Sequence, residues 1–472
     1  MLKIIFCFFT LGVFAQNQSA IRYSQFITAA DIKQNITVLA SDSLEGRETG
    51  QPGQKKAANY IAKQFENFGI PKIDKNGYFQ KYVIRYVIPA NISIAINGKE
   101  LSFKDDFYHK SDFLNDTLHS EYLTFYKWGD VVAQNAIVFA KEQEVDGDRL
   151  SFLKKNGTKA IFIVQDEERY KTGLKAIVTK ARKSNNELIN PEIPVFYITE
   201  KAYKKIFKCK SIKAKSKVCK MNIELKLAVY SVFVQSENVL GFVEGGDLKN
   251  EVVVVSAHYD HLGIKHDKIY YGADDNASGT SAVLALAKSF AHAKKEGNGP
   301  RRSILFLSFS GEEMGLLGSS YYSEHPVFPL ENTVADLNID MIGRMDSKHD
   351  TNPNYIYLIG SDKLSSDLHN ISDSTNKMYS KLELDYTFND PNDPNQFYYR
   401  SDHYNFAKHN IPVIFYFNGV HKDYHKPTDT IDKINFDKVE KISKLVFFTA
   451  WELANRDKRI VVDKENDFKG TR

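Results

Sequence analysis

Unbroken runs of β-branched and aromatic residues, each closed by a short polar turn, dominate the chain from Asn238 onward. Val252–Val255, Arg302–Ser310, Val334–Ile339, Asn354–Ile359 and Ile411–Phe417 show little alternation, the pattern of strands buried on both faces of a mostly parallel sheet. Between them, helical periodicity predicts helices over Ser281–Ala293, Gly315–Glu324, Lys363–Lys377 and Phe436–Asn455. Strand and helix in alternation indicate an α/β class with a mostly parallel, mixed central sheet.

Ahead of this region, Thr28–Ala40 and Gln54–Phe68 have helical spacing, with Gly69 as the stop of the second. The polar loop Ser41–Gly53 lies between them, and its Glu45, Arg47 and Glu48 read as an exposed charged turn rather than the wall of a cleft. From Tyr78 to Ile96 the pattern alternates as strands do. Strand candidates continue at Ala136–Ala140, Ala160–Val164 and Val195–Ile198, with a short helix at Arg149–Lys155. Nothing in Leu101–Leu225 clusters chemically, so 101–225 is expected to be an inserted β-rich domain. The interrupted domain then comprises 16–100 and 226–457, followed by a tail at 458–472.

The 472 residues, 42% of them hydrophobic, suffice for two domains with a substantial core. A formal net charge of +4 argues against nucleic acid as the main partner. Residues 1–15, MLKIIFCFFTLGVFA, read as a secretory signal peptide cleaved after Ala15, so the protein is expected to be exported, to the periplasm or the medium. No later segment has membrane-spanning length without charges. Cys209 and Cys219 are then expected to close a short disulfide loop worth about 2–3 kcal/mol. The lysine-dense Lys201–Lys220 reads as a solvated face.

Candidate chemistry gathers in the turns after the strands: His258 and Asp260, Asp274-Asp275-Asn276, Glu312-Glu313, Asp340, Ser401-Asp402-His403, and Tyr424 to Asp429. Imidazoles and carboxylates so placed suit a pair of divalent metals, each taking about three protein ligands and sharing one carboxylate across roughly 3.5–4 Å.

In order and spacing, His-x-Asp at 258–260, Gly-Ala-Asp-Asp-Asn-Ala-Ser-Gly at 272–279, Gly-Glu-Glu at 311–313, Ile-Asp-Met-Ile-Gly at 339–343 and Tyr-His-x-Pro-x-Asp at 424–429 resemble metallopeptidase family 28. This family of di-zinc aminopeptidases is related to glutamate carboxypeptidase II and to glutaminyl cyclases. The resemblance covers Asp31–Phe68 and Asn238–Asn455. It implies a three-layer phosphorylase/hydrolase-like sandwich in which 101–225 is similar to the family's inserted protease-associated domain. It also implies two zinc ions, for which manganese or cobalt could substitute. Asp275 would bridge them, His258 and Asp340 would complete one site, and Glu313 and His425 the other. Glu312 would be the general base acting on a metal-bridging water, and Asp260 would hold the tautomer of His258. Tyr424 is read either as a donor to the oxyanion or as a packing aromatic, while Asp402 and His403 shape the site. The loop Asp385–Asn395 reads as a turn at the cleft rim rather than a calcium loop.

The activity so implied is an exopeptidase that removes N-terminal residues from peptides with a free N-terminus. Three alternatives stand beside it. A carboxypeptidase or dipeptidase would pair the substrate's terminal carboxylate with Arg344 or Arg400; a glutaminyl cyclase would use a single zinc; a binding protein would use the metals structurally.

Overall fold

The computed structural model describes residues 17–109, 116–126, 132, 135–178, 183–184, 193–207 and 217–466. The expected signal peptide at 1–15, Cys209 and with it the disulfide to Cys219, and part of the lysine-dense segment lie outside the described residues.

Two compact units make up the chain, one of residues up to Tyr82 together with Gln235 onward, the other Val83–Val234. The insertion is therefore longer at both ends than the expected 101–225. Its limits fall inside two long strands, Phe79–Ile96 and Lys217–Val243. A strand keeps its alternating pattern while its partners change, so no composition shift marks the crossing.

In the first unit the strands lie in the order Glu383–Asp385, Tyr355–Ile359, Val413–Phe417, Thr333–Ile339, Leu248–His258, Arg302–Phe309, and finally the Val239–Val243 end of the long strand. The four from Val413–Phe417 to Arg302–Phe309 run parallel, and antiparallel neighbours flank them on both sides. Val253 and Val255 pack into a layer with Leu284, Phe290 and Val446, whereas Val252 and Val254 pack with Leu305, Tyr322 and Phe406. Successive side chains of a strand point to opposite faces, so an unalternating valine run requires cover on both. The helices Gly279–Lys295 and Phe436–Asn455 supply it on one face, and Leu317–Glu324 with His403–Ala407 on the other. That is the expected three-layer arrangement.

Among the described residues three α-helices lead in, Gln18–Ser24, Ala29–Leu39 and Pro52–Asn67. Ala29–Leu39 is capped by Thr28, whose Oγ1 accepts the Asp31 N–H at 3.2 Å, and Pro52–Asn67 starts with proline in its first turn. In the second unit, Asp116–Phe125, Ile137–Lys141, Ala160–Gln165 and Val195–Thr199 form a parallel set edged by antiparallel Phe107–His109. Helices Glu167–Val178 and Glu200–Phe207, absent from the sequence reading, join Gly147–Lys155 there. Their lysine- and glutamate-rich sequences bury only narrow apolar stripes, such as Ala202, Tyr203 and Ile206. Among the described residues, no helix is long and apolar enough to cross a membrane.

Candidate metal centre

Parallel strands deliver the polar residues to one edge of the sheet, where open α/β folds place their chemistry. His258 is the last residue of its strand, and Thr280 Oγ1 donates to its carbonyl at 2.8 Å. Asp340 follows Ile339 directly. Glu312 and Glu313 follow Gly311, whose φ of +75° and closeness to the Tyr82 hydroxyl, 2.9 Å from where a Cβ would stand, require glycine. Asp275 lies in the tight turn Ala273–Ser278, held from behind by Asp429, whose Oδ2 accepts the N–H groups of Asp274 and Asp275 at 3.0 and 3.1 Å. Asn276 ties this turn to the strand bearing Asp340 by donating to Ile339 O at 2.9 Å.

These elements bring all five expected ligands together. His258 Nε2 is 3.4 Å from Asp275 Oδ1 and 3.3 Å from Asp340 Oδ1. On the other side, His425 Nε2 is 3.2 Å from Asp275 Oδ2 and 3.3 Å from Glu313 Oε2. Metal bonds of about 2.0–2.1 Å at tetrahedral angles set neighbouring ligand atoms roughly 3.3–3.4 Å apart. Both sets match that spacing, and the two oxygens of Asp275 face one set each, so these residues fit divalent ions.

A third imidazole joins them. His261, Asp275 and Glu313 form a metal-capable group alongside His258, Asp275 and Asp340. His261 Nδ1 is 2.7 Å from Glu313 Oε1. The sequence reading passed over His261, although its place in the same strand-end turn as His258 was a usable signal.

Charge supports the same conclusion. Burial lifts the Glu312 carboxyl well above the usual range, and Glu313 and Asp340 add to this against the pull of His258. Burial acts on Glu313 in the same sense, yet His261 and His425 hold it well below. Burial pulls the His258 imidazole down, and Asp340 and Glu312 nonetheless carry it well above its ordinary value. Imidazoles thus offset a crowd of buried carboxylates, which is the pattern that bound cations neutralise.

The surrounding residues hold these candidate ligands in place. Asp260 accepts from Thr49 Oγ1 at 2.6 Å and from the Glu312 N–H at 3.2 Å. His258 Nδ1 lies 3.1 Å from the Asp260 backbone carbonyl and 3.6 Å from its Oδ1. Asp260 therefore meets the ring first through its carbonyl, and its carboxylate ties the Glu312 turn to Thr49. Ser401 Oγ donates to Asp340 Oδ2 at 2.8 Å, leaving Oδ1 to face His258. Asp402 accepts from Ser319 Oγ at 2.6 Å and His403 stacks on Phe415, so both shape the site from a distance. Tyr424 stacks on His425 with ring centroids 3.9 Å apart, and burial keeps its hydroxyl protonated.

Arg47 corrects the sequence reading. It is fully buried rather than exposed, and its guanidinium donates to the carbonyls of Leu39, Tyr259, Tyr271 and Gly272. The polar loop reads as exposed because its acceptors all lie in other segments. Arg344 is engaged as well, with Asp423 at 2.8 Å and Asp429 at 3.8 Å. A cavity of about 280 Å³ opens over the centre, lined by Glu312, Glu313 and His425 together with Met341, Phe397, Phe415 and Arg400.

The carboxylates and imidazoles converge at the strand ends of a mostly parallel α/β sandwich, in an arrangement that suits divalent metals. Residues 238–450 match the model of Peptidase family M28. Aminopeptidase YwaD of Bacillus subtilis (strain 168) is 26% identical over 232 residues, 48% of this chain and 46% of that protein. A probable leucine aminopeptidase of Arthroderma otae is 33% identical over 211 residues, 43% and 54% of the two chains. The chain thus spans about half the length of the curated relatives it matches. Among solved structures, the aminopeptidase from Aneurinibacillus sp. strain AM-1 superposes with a TM-score of 0.55 at 19% identity, covering 94% of this chain and 98% of that one. BSAP, a zinc aminopeptidase from Bacillus subtilis, gives 0.51 at 20% identity, with 93% and 98% covered. At these identities the likeness establishes the fold.

Proposed function

We propose that the protein is an exported aminopeptidase that holds two zinc ions and removes N-terminal residues from peptides. One observation carries this: the two oxygens of Asp275 face separate imidazole–carboxylate sets at ligand spacing, while Glu312 stands beside them, its Oε2 3.9 Å from His258 Nε2. Zinc, when bound, polarises the scissile carbonyl and lowers the pKa of water. Glu312 takes the proton of the attacking water and passes it to the leaving amine, a task suited by the proton affinity that burial gives it. Tyr424 donates its hydroxyl to the carbonyl oxygen as that atom gains charge. The relatives named as aminopeptidases support the reaction class.

Arg400 favours a second reading. Arg344 is committed to Asp423, so of the two arginines able to pair a terminal carboxylate only Arg400 reaches the cavity, where it lies over the Phe397 ring. A carboxypeptidase or dipeptidase would use it so. The two intact ligand sets argue against a single-zinc cyclase.

The test pairs zinc content per chain with amino-acid release from free, N-acetylated and C-amidated peptides. Two zinc ions with release abolished by acetylation support the aminopeptidase. Release abolished by amidation instead assigns the second reading, and no release at full zinc occupancy refutes hydrolysis. Export is tested separately, by whether the mature chain begins at Gln16.

A further inference from the structure

His261 does something that neither the fold nor the general base explains. Its side chain is fully buried, and among the described residues neither ring nitrogen makes a hydrogen bond. Nδ1 nevertheless stands 2.7 Å from Glu313 Oε1 and 3.8 Å from Asp275 Oδ2. A hydrogen bond at such a distance would aim the N–H along the line to the oxygen. Here the atoms are close without being aligned, as two ligands are when their lone pairs converge on a third point. For bonds of about 2.0–2.2 Å, two ligand atoms of one centre lie from roughly 2.9 Å to roughly 4.2 Å apart, and the observed 2.7 and 3.8 Å fall at or within that span.

The position is built to hold that ring. Arg47 O accepts the His261 N–H at 3.2 Å, fixing the backbone. Gly272 flanks the imidazole so closely that a Cβ there would stand 2.5 Å from His261 Cγ. The His425 ring approaches edge-on, with centroids 5.9 Å apart.

We infer that His261 is a third imidazole ligand, completing the metal position formed by Asp275, Glu313 and His425. The inference rests on the two-zinc reading above. It makes the two positions unequal, one with a single imidazole and two carboxylates, the other with two imidazoles and two carboxylates. Nitrogen donors favour zinc over harder ions such as manganese, so the His261 position retains zinc when the His258 position has lost it to a chelator.

X-ray absorption on the two-zinc protein counts imidazoles directly. Three imidazoles over two ions predict about 1.5 per zinc, falling to about 1.0 in His261→Ala. Chelator competition should show one ion weakened by more than ~100-fold in that variant, beyond the ~10–100-fold that loss of an outer hydrogen-bonding partner causes. His261→Asn, which restores a donor but not an imidazole, should not recover it. A wild-type value of about 1.0, an unchanged His261→Ala, or full recovery by asparagine would each overturn the assignment, the last by showing that His261 only positions Glu313. None of these readouts involves a substrate. Zinc bound through three imidazoles without peptide release would sink the proposed activity alone, whereas peptide release with about 1.0 imidazole per zinc would sink His261 alone.

Discussion

Replacing Arg47 with methionine tests whether a residue remote from the metals governs the centre. Methionine fills comparable volume but leaves the carbonyls of Leu39, Tyr259, Tyr271 and Gly272 facing an apolar chain. At about 1 kcal/mol for each buried acceptor stripped of its donor, the loss approaches 4 kcal/mol. Relief of the cation's own burial, which lowers its pKa to about 10, offsets part of it. The expected net is about 2–4 kcal/mol, with Arg47→Lys intermediate because an ammonium cannot span four acceptors as the planar fork does. Trp451, packed among Tyr23, Phe290 and Phe447 in the same unit, reports unfolding by its fluorescence in guanidinium. The carbonyls of Tyr259 to Gly272 flank His261 and lead into Asp275, so zinc affinity should fall with stability. An Arg47→Met protein within about 0.5 kcal/mol of wild type would show that water or neighbouring groups satisfy those carbonyls and that Arg47 is not the tie described here.

Glu312→Gln should keep its zinc while turnover drops about 100- to 10,000-fold, the range for loss of a general base; near-normal turnover would remove Glu312 from that role. Ser401→Ala frees Asp340 Oδ2, and competition with a chelator should show one zinc held ~10–100-fold more weakly, an unchanged affinity counting against the positioning role. Lys438 is buried, donating to Tyr355 O at 2.9 Å, and burial pulls its pKa down to about 7. The folded chain therefore gives up this proton near pH 7, while the unfolded chain holds it to about pH 10.4, so the unfolded state binds more protons in between and stability rises with pH across that window. Lys438→Met should flatten the rise, which is worth at most about 5 kcal/mol; denaturation midpoints at pH 6.5 and 9.5 decide, and an identical slope in both proteins would exclude Lys438 as its source.

Most of the elements, and the candidate metal-binding residues of the first unit, were legible in the sequence. Val252–Val255 could only be a strand covered on both faces, since four consecutive apolar side chains alternate between them, and the helix Phe436–Asn455 was legible to the residue because its stripe is long and Asn435 caps it. His258, Asp275, Glu313, Asp340 and His425 were indicated by the resemblance of their motifs to metallopeptidase family 28, and the structure brings these five side chains together. Tertiary structure alone decided the rest. Arg47 looked like a solvated charge until closure of the fold brought it to Tyr259, 212 residues along the chain, and Thr49 reached Asp260 across 211 residues. His261 showed its ring only once Gly272 and the Arg47 backbone had oriented it toward Glu313. The limits of the insertion were hidden inside strands whose pattern does not change where their partners do. Local pattern reports which face of an element is dry, whereas the partner of a buried charge is set by where distant segments meet, and no stretch of sequence carries that meeting on its own.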